Sequence, residues 1–357
     1  MTLDKDTLAQ EALALLKQLI SIPSFSEEED ETAEAIDAWL KKFGVETKRQ
    51  YNNIYAFNKY YDESKPNLLL NSHHDTVKPN SAYTKDPFNA HVEDGKLFGL
   101  GSNDAGGCLC SLLATFVHFY ERDDLSYNII MSATAEEEDA GDKSISALLP
   151  ILPEIEVAIV GEPTLMQLAI AEKGLVVFEG KVDGTPSHAA HPNDNNSIYN
   201  TIKVLEWFKN YKFEKVSNVL GEVKMTVTQI NAGSQHNVVP GHVDLVIDTR
   251  VNDCYSNEEI YEILQNEAPC QLVPRSLNLS SSSISIEHPL VQSGIALGRE
   301  TYGSPTLSDQ AELSCQSLKL GPGDSTRSHS ANEFIYVSEI EEGVGLYIDI
   351  LESFLTK

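Results

Sequence analysis

Five short segments of this 357-residue chain set imidazoles and carboxylates where they could hold metal ions or move protons. His73-His74-Asp75 follows directly on the apolar run 67–72. Asp104 lies in Gly99-Leu100-Gly101-Ser102-Asn103-Asp104-Ala105-Gly106-Gly107, where glycines permit a tight turn and close approach of backbone to a bound group. Residues 128–134 end in Ala135-Glu136-Glu137-Glu138-Asp139, and Val160-Gly161-Glu162-Pro163-Thr164 again puts a carboxylate just past an apolar run. The fifth segment is Gly321-Pro322-Gly323-Asp324 with Ser325-Thr326-Arg327-Ser328-His329 after it. Taken singly each has an ordinary reading: a polar surface loop for His73 and Asp75, a helix cap for Asp104, a solvated charge run for the acids. Together they offer the imidazole and oxygen donors that zinc accepts, with carboxylates able to bridge two ions.

Donors this far apart in sequence need a scaffold that gathers them. Short apolar runs at 67–72, 128–134 and 156–160 alternate with helical patterns, the rhythm of an α/β sheet whose carboxyl strand ends collect ligands. Runs such as Leu68-Leu69-Leu70 and Val157-Ala158-Ile159-Val160 suit strands covered on both faces. Helices are expected from Leu8 until Pro23 stops the pattern, from Ser26 (with Glu29 completing a capping box) to Gly44, over about 106–120, and over 339–355. After Gly174 the texture changes to alternating segments at 175–182, 223–230 and 243–251 with one helix around 198–211. The expected fold is α/β, a mixed, mostly parallel sheet flanked by helices, with an inserted α+β domain. The boundaries read as 1–174 plus 285–357 for the main domain and 175–284 for the insert.

Composition narrows the function class. A hydrophobic fraction of 41% supports real cores, and the length favours two domains. Net charge is −28, from 54 acids against 26 bases, which argues against binding nucleic acid or an anionic membrane. Five scattered cysteines, Cys108, Cys110, Cys254, Cys270 and Cys315, show no metal-binding spacing and read as reduced, mostly buried thiols. With an acidic start and no membrane-length apolar run, a cytoplasmic location is expected.

In this order the five motifs, with three more in the insert, resemble the M20 zinc peptidases and deacylases, a family that includes acetylornithine deacetylase, succinyl-diaminopimelate desuccinylase, aminoacylase and carboxypeptidase G2. The insert motifs are Gly184-Thr185-Pro186-Ser187-His188-Ala189-Ala190-His191-Pro192, Asn237-Val238-Val239-Pro240 and Asp248-Thr249-Arg250. The resemblance covers essentially the whole chain. It implies two Zn2+ per subunit, replaceable by Co2+ or Mn2+, with His73 and Glu162 on one ion, Glu138 and His329 on the other, and Asp104 bridging both. Asp75 would orient His73, and Glu137 would be the general base. The insert would be a lid and dimerisation domain: His188 would stabilise the oxyanion in the partner subunit's site, and Arg250 would clasp the substrate α-carboxylate. Asn237 and Gly323 would also contact substrate. The implied activity is hydrolysis of an N-acyl amino acid amide. Glu162 is similar to the deacetylase and desuccinylase branches rather than the aminopeptidases, and N-acetylornithine leads because Thr306-Leu307-Ser308-Asp309 and the short total length are similar to the arginine-pathway deacylases. N-acetylcitrulline and the N-succinyl counterparts come next; the alternatives are a dipeptidase or carboxypeptidase, or a succinyl-diaminopimelate desuccinylase. Gly106 departs from the pattern, since many relatives carry Lys there.

Overall fold

The computed structural model describes residues 3–356. They divide into a first unit, which runs to Ile170 and resumes over Ser283–Tyr302 and from Ser308, and a second unit, Ala171–Ser282 with Gly303–Leu307. In chain order the elements begin with α1 (Lys5–Ile20), α2 (Asp30–Lys42), β1 (Thr47–Gln50), β2 (Asn53–Phe57), β3 (Asn67–His73), β4 (His91–Glu93), β5 (Lys96–Phe98), α3 (Gly107–Phe119), β6 (Asn128–Thr134), α4 (Ile145–Leu148), β7 (Val157–Val160) and β8 (Leu168–Glu172). Next come β9 (Gly174–Asp183), β10 (Ser187–His188), α5 (Ser197–Asn210), β11 (Lys224–Ala232), β12 (Val238–Val239), β13 (His242–Val251), α6 (Asn257–Glu267) and β14 (Gln271–Pro274). The chain closes with β15 (Ser282–Ser283), α7 (Pro289–Ala296), β16 (Thr301–Ser304), β17 (Gln316–Lys319), β18 (Phe334–Tyr336) and α8 (Val337–Leu355).

The main sheet of the first unit runs β1-β2-β6-β3-β7-β17-β8-β15, with β16 beside β8. It is mixed, as expected: β6, β3, β7 and β17 are mutually parallel, while β2 on β6 and β8 on β17 are antiparallel. Burial on both faces explains the unbroken apolar runs. Leu68 and Leu70 face a core shared with α1, α3 and α8, whereas Leu69 joins Ile130, Ala158 and the α4 residues Ile145 and Leu148 on the other side. From β3 the next strand of this sheet, β6, pairs on one side and the one after it, β7, on the other. The carboxyl end of β3 is therefore a topological switch point, where open sheets leave a crevice.

A second sheet of the first unit, β4-β5-β18, has no counterpart in the sequence reading. Its hairpin turns at Asp94-Gly95, both with positive φ (52° and 75°), the pair favoured for a two-residue hairpin. Pairing of Phe334 with Phe98 and Ile335 with Leu97 lays the chain after His329 beside the chain that leads to Asp104.

Two local expectations fail. The helix expected from Ser26 starts at Asp30, because Ser26 Oγ donates to Asp75 Oδ2 (2.8 Å) and the Glu29 carboxylate instead accepts from Glu27 N and Asn52 Nδ2. The thiols are not mostly buried: Cys108 and Cys110 are, but Cys254, Cys270 and Cys315 are only partly covered. All five are free, as expected.

In the second unit an antiparallel sheet, β11-β13-β9-β14, buries one face under α5 and α6 around Val176, Phe178, Val243, Leu245 and Ile247. Helix α6 was not expected, although Ser256 and Glu259 form a capping box at its start. Edge strand β11 is largely exposed, and α5 leaves Ile198, Tyr199 and Ile202 in solvent.

Candidate metal centre

Four parallel strands end side by side in the first unit, and each delivers part of one site. His73 is the last residue of β3, with Asp75 two further on; Glu137 and Glu138 follow β6; Glu162 follows β7; and the segment after β17 leads to His329. Asp104 comes from the glycine-rich turn before α3, where the Asp104–Ala105 peptide is cis. Gly101 (φ +72°) turns the chain there, and a Cβ at Gly106 would meet Gly101 O at 2.5 Å and Leu16 Cδ1 at 2.7 Å. The lysine that the resemblance leads one to expect at 106 would not fit this turn.

The two oxygens of Asp104 face different partners. Oδ1 lies 3.4 Å from His73 Nε2 and Oδ2 lies 3.7 Å from His329 Nε2. His73 Nε2 is also 3.6 Å from Glu162 Oε1 and 4.0 Å from Glu137 Oε2, while His329 Nε2 is 2.9 Å from Glu138 Oε2. Donor atoms of His73, Asp104 and Glu138 all lie within 4.8 Å of one another, close enough to share a cation. Asp75 stands behind this layer. Its main-chain oxygen and Oδ1 lie 3.0 and 3.3 Å from His73 Nδ1, and its carboxylate accepts from Glu137 N (3.2 Å) and Glu138 N (3.1 Å). One buried acid thus orients the imidazole of one strand end and the main chain of the next.

Charge tests whether a cation fits. Burial and the Asp104 charge raise Glu162 to about 8, with His73 opposing. Burial also raises Glu137 well above the usual carboxylate range; His73 opposes this, while Glu162, Asp309 and Glu138 add to it. His329 rises to about 9 because Glu138 accepts its hydrogen bond. His73 is buried, which alone would lower it, yet the charge of Glu137 and bonds from Asp104 and Asp75 hold it well above the ordinary histidine value. The carboxylates outnumber the imidazoles, and the surplus is relieved either by protons or by a cation. Imidazole nitrogen and carboxylate oxygen are the donors of zinc, cobalt and manganese, so the residues fit such an ion.

The remaining expected residues fall elsewhere. Gly323 (φ +91°) lies in the first unit, where a Cβ would meet Asn103 Oδ1 at 2.5 Å; it is a close-approach turn. His188, Asn237 and Arg250 lie in the second unit. Pairing of β10 with β12 brings His188 beside Val238, Ala189 N donates to Asn237 O (2.9 Å), and the His188 side chain is exposed. Arg250 is bound in a two-point pair with Asp248, Nε to Oδ1 at 2.9 Å and Nη2 to Oδ2 at 3.1 Å. In this conformation its fork is filled by its own strand.

Two buried acids that the sequence reading gives no role support the centre. Asp309 Oδ2 accepts from Asn71 Nδ2 (2.6 Å) and Thr134 Oγ1 (2.7 Å), bracing the ends of β3 and β6. Glu333 accepts main-chain N–H groups of the Asp104 turn.

Comparison with known proteins gives the family and the fold. The sequence profile of Peptidase family M20/M25/M40 matches residues 69–353. A succinyl-diaminopimelate desuccinylase of Rickettsia bellii (strain RML369-C) is 27% identical over 374 residues, covering 94% of this chain and 95% of the relative. Another so described from Wolbachia pipientis wMel is 26% identical and covers 95% and 92%. Among solved structures, an M20 family metallo-carboxypeptidase from Sulfolobus solfataricus superposes with a TM-score of 0.74 at 17% identity, covering 96% and 99% of the two chains. A Bacillus subtilis peptidase described as dinuclear metal binding does so with a TM-score of 0.74 at 15% identity, covering 97% and 98%.

Proposed function

Because the chain belongs to peptidase family M20/M25/M40 and is a metal-dependent hydrolase of that family, we propose that it cleaves the amide of an N-acylated diamino acid at a dinuclear centre. The observation that carries the dinuclear reading is Asp104, whose two oxygens face His73 on one side and His329 on the other. In this reading His73 and Glu162 hold one ion, Glu138 and His329 the other, and Asp104 both. Such cations supply Lewis acidity to the scissile carbonyl and make water more acidic.

The chain's own residues supply the proton traffic. Glu137 is held by its main chain on Asp75 and contributes no ligand in this scheme. In the metal-free chain burial raises its carboxyl well above the usual carboxylate range. It accepts a proton from the attacking water and passes it to the departing amine nitrogen, so one group serves as base and then as acid. The products are a carboxylate and a free amine. Asp75 keeps His73 and Glu137 in register throughout.

The curated relatives place N-succinyl-diaminopimelate on the test panel, and at 26–27% identity N-acetylornithine stays beside it. Thr306-Leu307-Ser308-Asp309 is similar to the arginine-pathway deacylases, while Glu162 fits deacetylases and desuccinylases alike. Both are amides of one amino group in a molecule that keeps a second amine and a free carboxylate. Protein stripped with a chelator and reloaded with zinc is assayed on both, on N-acetylcitrulline and on a dipeptide. Metal-dependent release of a diamino acid is the expected result; cleavage of the dipeptide alone would reject the deacylase reading.

We also propose a homodimer through the second unit. Supporting this are the exposed edge of β11 and the apolar Ile198, Tyr199 and Ile202 beside it, surfaces that isolated chains tend to cover. His188 then acts in the partner's site as an oxyanion donor. Complementation tests it: mixed with Glu137→Gln protein, His188→Ala protein should regain activity, since one site per mixed dimer has both groups intact. Absence of recovery in verified mixed dimers would sink the trans assignment.

A further inference from the structure

Glu333 lies outside the proposed ligand set, yet it is 2% exposed and turned toward the centre's main chain. Its Oε1 accepts from Asn103 N (2.8 Å) and Asp104 N (3.0 Å), and its Oε2 from Gly101 N (3.1 Å). Its own main-chain oxygen accepts from Gly99 N (3.1 Å). Four N–H groups of the glycine-rich turn therefore end on one residue. Converging amides of this kind form an anion-binding concavity, and a carboxylate, with two oxygens and four lone pairs, can satisfy three of them at once.

The position of Glu333 gives this grip its significance. It stands four residues after His329 and directly before β18, which is paired with β5 just ahead of the glycine-rich turn. Asn103 ties the same turn to the other side of His329: its Nδ2 donates to Asp324 O (3.1 Å) and its Oδ1 accepts from Asp324 N (3.0 Å). The segment that carries His329 is thus clamped at both ends to the turn that carries Asp104. The 3.7 Å between His329 Nε2 and Asp104 Oδ2 is set by this clamp rather than by two independent loops.

We infer that Glu333 is a positioning residue of the dinuclear centre: by fixing the main chain of Asp104 against the His329 segment, it sets the spacing of the bridging carboxylate between the two cations. The inference rests on the dinuclear reading above. Glutamine at 333 keeps size and one acceptor oxygen but turns an NH2 group toward an N–H, so the grip loosens without leaving a cavity.

The test is titration of chelator-stripped protein with Co2+, followed by visible absorption, alongside melting of the stripped protein. Wild type is expected to take up two equivalents. Glu333→Gln is expected to fold and to bind both equivalents about 10- to 100-fold more weakly, the scale of lost outer-shell support. Glu333→Asp, which keeps the charge but withdraws both oxygens by a methylene, should weaken both as well. A purely structural role would lower the melting temperature and leave the isotherm unchanged; a wild-type isotherm in Glu333→Gln overturns the inference. Should that variant not fold, Glu333→Asp is judged by the same isotherm. Failure of wild type to bind two ions would overturn the dinuclear reading, and this inference with it.

Discussion

Glu137→Gln is expected to leave the metal content unchanged and to lower kcat by about 10²–10⁴-fold, the range that a positioned acid–base group contributes. The substitution keeps size and shape, and the main chain of residue 137 stays bonded to Asp75, so Glu138 should keep its place. What is lost is the ability to take a proton from water and return it to the amine. KM should change little, because an interaction made only in the transition state lowers kcat and kcat/KM together. Metal analysis beside steady-state kinetics decides the matter. Near-wild-type turnover would remove Glu137 from the mechanism, and loss of metal would show it to be a ligand.

Asp104→Ala should abolish uptake of both ions, not one. Its two oxygens lie 3.4 Å from His73 Nε2 and 3.7 Å from His329 Nε2, so each ion would lose the same carboxylate. Ions that bind only the folded state raise stability by RT ln(1 + [L]/Kd), about 4 kcal/mol for one site at a thousand-fold excess over Kd. Wild type should therefore melt markedly higher with zinc than without, and the variant should show no such gain. Thermal scans with and without zinc test both halves; a surviving single-site zinc shift in the variant would refute the bridging assignment.

The site was legible in sequence wherever a donor terminates a buried parallel strand. Leu68–Leu70 and Val157–Val160 are apolar because both faces of the sheet are covered, and the donors His73 and Glu162 follow within three residues at its carboxyl edge. Residues that serve the site through main-chain hydrogen bonds were not legible. Glu333 follows no periodic pattern and Asp309 was read only as a mark of subgroup, because accepting an N–H from a distant turn imposes no local spacing. Ser26 shows the converse. Its spacing to Glu29 fits a capping box, yet a tertiary partner, Asp75, takes the hydroxyl. The hairpin at Asp94-Gly95 and the cap at Ser256, by contrast, carry ordinary local signals.

The first unit gives up its chain at Ile170 and takes it back close by: Ile284 N donates to Ile170 O at 2.9 Å, and β8 and β15 are neighbours in one sheet. Topologically, everything between those two residues is a single loop pinched at its base. Loop entropy grows only logarithmically, each doubling of length costing about 0.6 kcal/mol, so the core is nearly indifferent to what fills the gap. The junction is a graft point, where lineage or engineer can trade one inserted module for another while the hydrolytic core keeps its architecture.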